Sequence, residues 1–211
     1  SDTDLKDLGG FPGVPQLTNF YAEKVKPADT RVFVIVSDAM RYEVAAALAD
    51  QLRRETQSKV NLESRQGVFP TITKFGMAAL LPHKELSVQQ KSGGQLQVLV
   101  DGQPSEASDR DGILKKANPQ SIALKYKDII DMKRADRAAL VKGMEVVYIY
   151  HDRIDEASHS DDASVFTACE QAIQEIKTMI RIIVNEFGGI RILVTADHGF
   201  LYTYSALQED S

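Results

Sequence analysis

The stretch Arg31-Val-Phe-Val-Ile-Val-Ser37 constrains the fold of this chain more than any other. Its five consecutive apolar, β-favouring residues are too few for a helix of ordinary length. With no polar residue alternating among them, they fit a strand buried on both faces, as in a parallel sheet covered by helices. Residues 144–150 and 190–195 read the same way, and a further strand is expected within 59–69, broken by Pro70. Helical spacing appears over 41–54, 74–81, 110–116, 134–142 and 164–187. In the last of these, Phe166, Cys169, Ile173, Ile176, Ile180, Ile183 and Phe187 fall on one face, and Gly188-Gly189 provide a stop. Strands alternating with helices predict an α/β fold, a three-layer α/β/α sandwich around a mostly parallel sheet.

The rest of the chain is less regular. Residues 1–30 carry many glycines and prolines and read as a loop, with one short amphipathic stretch at 19–25. Residues 83–94 look polar and loop-like, whereas Leu96-Gln-Val-Leu-Val100 followed by Asp101-Gly102 predicts a strand entering a tight hairpin. Residues 121–132 fit helix and strand equally. The span 83–143 is therefore expected to be an inserted, cap-like segment within one domain covering 1–211.

Composition excludes several classes. With 211 residues, 43% hydrophobic and 26% charged, the chain suits one globular core and not a disordered or fibrous protein. One cysteine allows neither a disulfide framework nor a cysteine-rich zinc site. A net charge of -5 gives no strong duplex-DNA footprint. No apolar run reaches the roughly 18 residues that cross a membrane, and no signal peptide opens the chain, so a cytoplasmic location is expected. A sequence opening on Ser1 reads as a piece of a longer protein.

In open α/β sheets, ligands bind beyond the carboxyl ends of the strands. The polar residues that follow the expected strands are Asp38; Thr71 and Thr73; His151, Asp152, Asp155 and His159; and Asp197 with His198. Three of the four histidines lie in these segments. Aspartate and histidine together can ligate a divalent cation. Asp155 and His159, four apart, would share a face of a helical turn. Each residue also has a plainer reading: Asp38 and Thr73 as helix caps, His151 as an orienting or an ordinary loop residue, Arg41 as a phosphate contact or a solvated side chain. His83 reads as a surface histidine and Cys169 as core.

Four strings carry a resemblance: Val34-Ile-Val-Ser-Asp-Ala-Met-Arg-Tyr-Glu43, Phe69-Pro-Thr-Ile-Thr-Lys-Phe-Gly-Met-Ala-Ala-Leu-Leu-Pro82, Tyr148-Ile-Tyr-His-Asp-Arg-Ile-Asp155 and Val194-Thr-Ala-Asp-His-Gly-Phe-Leu201. Together they resemble the alkaline phosphatase superfamily and, more narrowly, the PglZ domain of BREX-type bacteriophage-defence systems; Val98-Leu-Val-Asp-Gly102 adds to the likeness. The resemblance implies an alkaline-phosphatase-like fold with two divalent ions, zinc ahead of manganese or magnesium. It places Asp38, Asp197 and His198 on one ion and Asp155 and His159 on the other. Thr73 becomes the nucleophile, with Thr71 second, and the implied reaction is hydrolysis of a phosphoester through a phospho-threonine. A phosphodiester in nucleotides or short oligonucleotides is the implied substrate, and other BREX subunits are the implied partners. The alternative is a scaffold subunit of the BREX complex with a vestigial metal site. Three departures stand out. No histidine follows His198, which leaves the second ion one ligand short; position 159 is often aspartate in close relatives; and the sulfatase cysteine motif is absent.

Overall fold

The structure is a computed structural model that describes residues 18–27, 29–37, 51, 54, 59–64, 73–151, 162–196 and 200–205, with backbone alone at 59–64, 73, 162–166, 168, 169, 200–202, 204 and 205. Nine strands are described: β1 (Val32–Ser37), β2 (Lys59–Ser64), β3 (Leu86–Gln90), β4 (Leu96–Val100), β5 (Gln103–Pro104), β6 (Ser121–Lys125), β7 (Val146–His151), β8 (Arg191–Thr195) and β9 (Phe200–Ser205). Five α-helices accompany them: α1 (Thr73–Ala79), α2 (Arg110–Ala117), α3 (Tyr126–Asp131), α4 (Arg134–Val141) and α5 (Asp162–Asn185).

Six strands form one sheet in the order β2-β9-β8-β1-β7-β6. The run β8-β1-β7-β6 is parallel throughout, and β9 runs against both of its neighbours. All six residues of β1 are buried, as its unbroken apolar run requires. Its alternate side chains serve two cores. Phe33 and Ile35 join Val147, Ile149, Ile192 and Val194 beneath α5, where Ile173, Ile176, Ile180 and Ile183 supply the facing stripe. Val34 and Val36 join Tyr148 and Leu193 on the other face, covered by Phe75 and Leu81 from around α1. Helices on both faces of a mostly parallel sheet make this an α/β fold.

Within 83–143 the structure separates two parts. Strands β3-β4-β5 form a small antiparallel sheet of their own, laid over the second core through Leu86, Val98 and Val100. Ser121–Lys125, by contrast, is the edge strand of the main sheet, parallel to β7. Residues 86–90, expected as loop, are a strand: five consecutive pairs tie Leu86–Gln90 to β4. Only Leu86 of that strand is buried, so no apolar run announced it. Asp101-Gly102 turns the next hairpin as expected, with φ values of 49° and 80°, both in the left-handed region that Asp-Gly tolerates. The Asp101 carboxylate also accepts the backbone N–H groups of Lys84 and Glu85, at 3.0 and 2.8 Å.

Arg31 fixes the amino end of β1. Its guanidinium donates to the carbonyls of Met144, Phe187 and Val141 at 2.9, 2.9 and 2.8 Å. Those carbonyls close α4, follow α5 and precede β7, so one side chain ties three elements to β1. The guanidinium also lies 5.1 Å from the Phe33 ring centroid. Beyond α5, the N–H of Gly189 donates to the Ile183 carbonyl at 2.9 Å. A Cβ at Gly189 would run into Ile183 and Phe33, so glycine is needed here for close approach.

Candidate active site

The parallel strands β8, β1 and β7 lie side by side and end together. Ser37 is level with His151, and Val36 is level with both Tyr150 and Thr195. The chain therefore leaves the sheet three times at one edge, through the segments that begin Asp38, Asp152 and Asp197. Thr73, the remaining nucleophile candidate, is the first residue of α1. Asp38, Arg41, Thr71, Asp155, His159, Asp197 and His198 lie outside the described residues, as does the side chain of Thr73. Among the described residues no group of three metal-ligating side chains comes together. What the structure contributes is the convergence of the strand ends from which Asp38, Arg41, Asp155, His159, Asp197 and His198 follow.

His151 is described in full. It is the last residue of β7 and is buried, not part of a loop. Its Nε2 lies 3.0 Å from the Glu175 carboxylate on α5, and its Nδ1 lies 3.1 Å from the Ser37 hydroxyl. An ionised carboxylate only accepts, so Nε2–H donates to Glu175; in the neutral ring Nδ1 then accepts from Ser37. Tyr126 meets the imidazole edge-on at 4.9 Å. The order Ser37, His151, Glu175 imitates a hydrolase triad, but Ser37 is fully buried, closed to any substrate. The arrangement instead ties the ends of β1 and β7 to α5, one residue before Asp38.

The second face carries a different pair at the same edge. Arg110, the first residue of α2, places its guanidinium carbon 4.3 Å from the centroid of the Tyr150 ring. Asp111 sets that position. Its carboxylate accepts the backbone N–H of Ala123 on β6 at 2.9 Å and the Lys115 ammonium at 2.7 Å. Burial raises the Asp111 pKa, but these hydrogen bonds outweigh it and hold the carboxyl below its ordinary value. Burial pushes the Tyr150 phenol well above its ordinary pKa, with the Arg110 charge pulling weakly the other way. Both residues are half-buried, yet Arg110 Nε and Tyr150 Oη are shut from solvent without a hydrogen-bond partner. Each such buried polar atom costs about 1–3 kcal/mol. The neighbouring Tyr148 differs: its hydroxyl donates to the Leu80 carbonyl at 2.8 Å.

A cleft of about 910 Å³ opens at the opposite edge, where β1 and β7 begin, lined in part by Arg31, Lys84, Asp101 and Lys116. Asp101 and Arg31 there are committed to the backbone bonds already described, and the cleft lies away from the carboxyl ends where such sheets bind ligands. His83, on its rim, donates from Nδ1 to the Leu81 carbonyl at 2.6 Å and is half-buried, so it is more tied than a free surface histidine.

Residues 20–211 match the family described as the BREX system PglZ alkaline phosphatase-like domain. The chain belongs to the PglZ family. Among curated relatives, it is 43% identical over 205 residues to the alkaline phosphatase-like protein BrxZ of Escherichia coli O9:H4 (strain HS). It is 37% identical over 202 residues to the alkaline phosphatase-like protein PglZ of Bacillus cereus (strain H3081.97). Each alignment covers 93% of this chain but 23% of the relative, so the PglZ domain described here spans about a quarter of those proteins. The mostly parallel, helix-flanked sheet agrees with an alkaline-phosphatase-like domain. Among the described residues no helix of this PglZ domain is long and apolar enough to cross a membrane.

Sequence reasoning missed the Arg110–Tyr150 pair. The two residues are forty positions apart, and only the packing of α2 along β6 brings them together. Tyr150 ends an apolar run and Arg110 opens a helix, and neither fact alone signals a site.

Proposed function

We propose that this domain is a metal-dependent phosphoester hydrolase that acts on phosphodiesters, in nucleotides or short oligonucleotides, within BREX phage defence. The observation that supports it is the level ending of β8, β1 and β7, from which Asp38, Asp155, His159, Asp197 and His198 follow. Such a donor set suits zinc, with manganese or magnesium as substitutes. In this reading Asp38, Asp197 and His198 hold one ion and Asp155 and His159 the other. The bound ions supply Lewis acidity that favours an ionised hydroxyl and offsets charge on the phosphoryl group. Thr73 Oγ attacks phosphorus, the P–O bond to the leaving group breaks, and that oxygen gains a proton. Water then cleaves the P–O bond to Thr73, restoring the hydroxyl and releasing a phosphomonoester. The His151–Ser37–Glu175 contacts hold the strand ends at a fixed spacing. Partners are other BREX subunits.

The test is hydrolysis of a chromogenic phosphodiester by the full-length protein with Zn²⁺ and Mn²⁺ titrated in. Turnover is expected to require metal, to vanish in Thr73→Ala with the fold retained, and to survive in Thr71→Ala. Full activity in Thr73→Ala removes the nucleophile assignment. A wild-type protein without turnover at any metal concentration supports a scaffold role in the BREX complex instead.

A further inference from the structure

Two buried polar atoms without hydrogen-bond partners among the described residues, Arg110 Nε and Tyr150 Oη, belong to side chains that pack together at the rim of the sheet. Tyr150 is the penultimate residue of β7, level with Val36 of β1 and Lys125 of β6. The Arg110 guanidinium lies over its ring, and among the described residues no group accepts a hydrogen bond from that guanidinium. A cation–π contact of this kind holds the guanidinium near the ring without using its N–H groups. The Asp111 bonds to Ala123 and Lys115 fix the first turn of α2, so the fork is held from both ends. Among the described residues two other buried polar atoms lack partners, Ser121 Oγ and Arg191 Nε, and neither is paired with a second such atom. Arg191 is moreover already anchored, donating through Nη2 to the Lys24 carbonyl at 3.0 Å.

A cationic fork and a phenol hydroxyl, both donors and neither committed, suit an oxyanion. Both residues are half-buried overall, and binding an anion requires Arg110 to swing off the Tyr150 ring so that both donors become accessible. We propose that Arg110 and Tyr150 form a phosphoryl-oxygen subsite, in which a non-bridging oxygen of the substrate accepts from the Arg110 guanidinium and from the Tyr150 hydroxyl. The identity of the anion rests on the phosphoester reading above; the existence of the subsite does not. The device makes α2 part of the binding site, because α2 delivers a guanidinium over the Tyr150 ring.

The experiment is calorimetric titration of the full-length protein, stripped of metal by chelation, with inorganic phosphate and separately with a dinucleoside monophosphate. Wild type is expected to bind both. Arg110→Gln is expected to weaken both by about tenfold or more, Arg110→Lys by less, and Tyr150→Phe by a few-fold. Circular dichroism and the thermal midpoint check that the variants fold, and Arg110→Lys keeps the test open if Arg110→Gln does not. Wild-type affinity in Arg110→Gln, or no phosphate binding by wild type, overturns the subsite. Turnover separates the two claims. Arginine-dependent binding in a protein that never hydrolyses the diester keeps the subsite and removes the hydrolase. Turnover with unchanged KM in Arg110→Gln keeps the hydrolase and removes the subsite.

Discussion

Two arginines lie over aromatic rings at opposite ends of the same sheet, and they are used differently. Arg31, at the amino edge, sits 5.1 Å from the Phe33 centroid and donates to three backbone carbonyls. Arg110, at the carboxyl edge, sits 4.3 Å from the Tyr150 centroid and donates to none of the described groups. Burial lowers the pKa of Arg31, so its charge is held at some cost in solvation and offset by the carbonyls it satisfies. A partner-free fork contributes little to folding and keeps its donors for something else. The two tyrosines of β7 repeat the contrast: the Tyr148 hydroxyl donates to Leu80, and the Tyr150 hydroxyl has no partner among the described residues. Stability and binding are thus assigned to different members of similar pairs.

The largest effect is expected at the amino edge. Arg31→Ala leaves three carbonyls without their charged donor and should lower stability by about 3 kcal/mol, read by urea unfolding. A loss under about 1 kcal/mol would mean that water replaces the side chain and that Arg31 is no clamp. Next comes the tyrosine pair. Tyr148→Phe should cost about 1 kcal/mol, while Tyr150→Phe should be neutral or slightly stabilising, because it removes a buried hydroxyl that has no partner. Equal losses in both would show that the Tyr150 hydroxyl is satisfied in solution and would erase the contrast.

The smallest effect is in acid. The Asp111 carboxyl is held below its unfolded value, so the anchoring of α2 is complete above about pH 4 and declines as pH falls through the depressed native value. Asp111→Asn should therefore lower stability slightly at neutral pH and flatten the acid limb, so that the two proteins converge below about pH 4. The side chain is 42% exposed, which keeps the change small. An acid limb identical in both proteins would remove Asp111 as the anchor.

Much of the fold was legible because burial on two faces writes itself into the sequence. The apolar runs behind β1, β7 and β8 and the stripe of α5 needed no tertiary information. The helix expected over 41–54 falls mostly outside the described residues, of which Gln51 and Arg54 are helical. Elements at the periphery were harder. β3 buries only Leu86 and takes its shape from β4; β6 runs into α3 at Lys125-Tyr126 with no turn residue between them. β9 follows Asp-His-Gly directly, and attention to that motif hid the β-favouring run Phe200-Leu-Tyr-Thr-Tyr204 behind it. For the site, the rule that ligands gather beyond strand ends picked out segments that the fold starts from one edge, because β8, β1 and β7 end level there. It said nothing of Arg110, whose place depends on α2 being pinned to β6 by Asp111, a contact between residues 111 and 123 that no local pattern encodes.

The central claim is that phosphoester chemistry takes place where the parallel strands end, with Thr73 as the acceptor. The most direct measurement is peptide mapping by mass spectrometry of the full-length protein, acid-quenched during turnover of a phosphodiester with Zn²⁺ or Mn²⁺ present. The account predicts an adduct on Thr73 that carries phosphorus with the substrate's retained ester group, absent in Thr73→Ala. Such an adduct on any other residue, Thr71 included, or steady turnover with no covalent adduct, would contradict it.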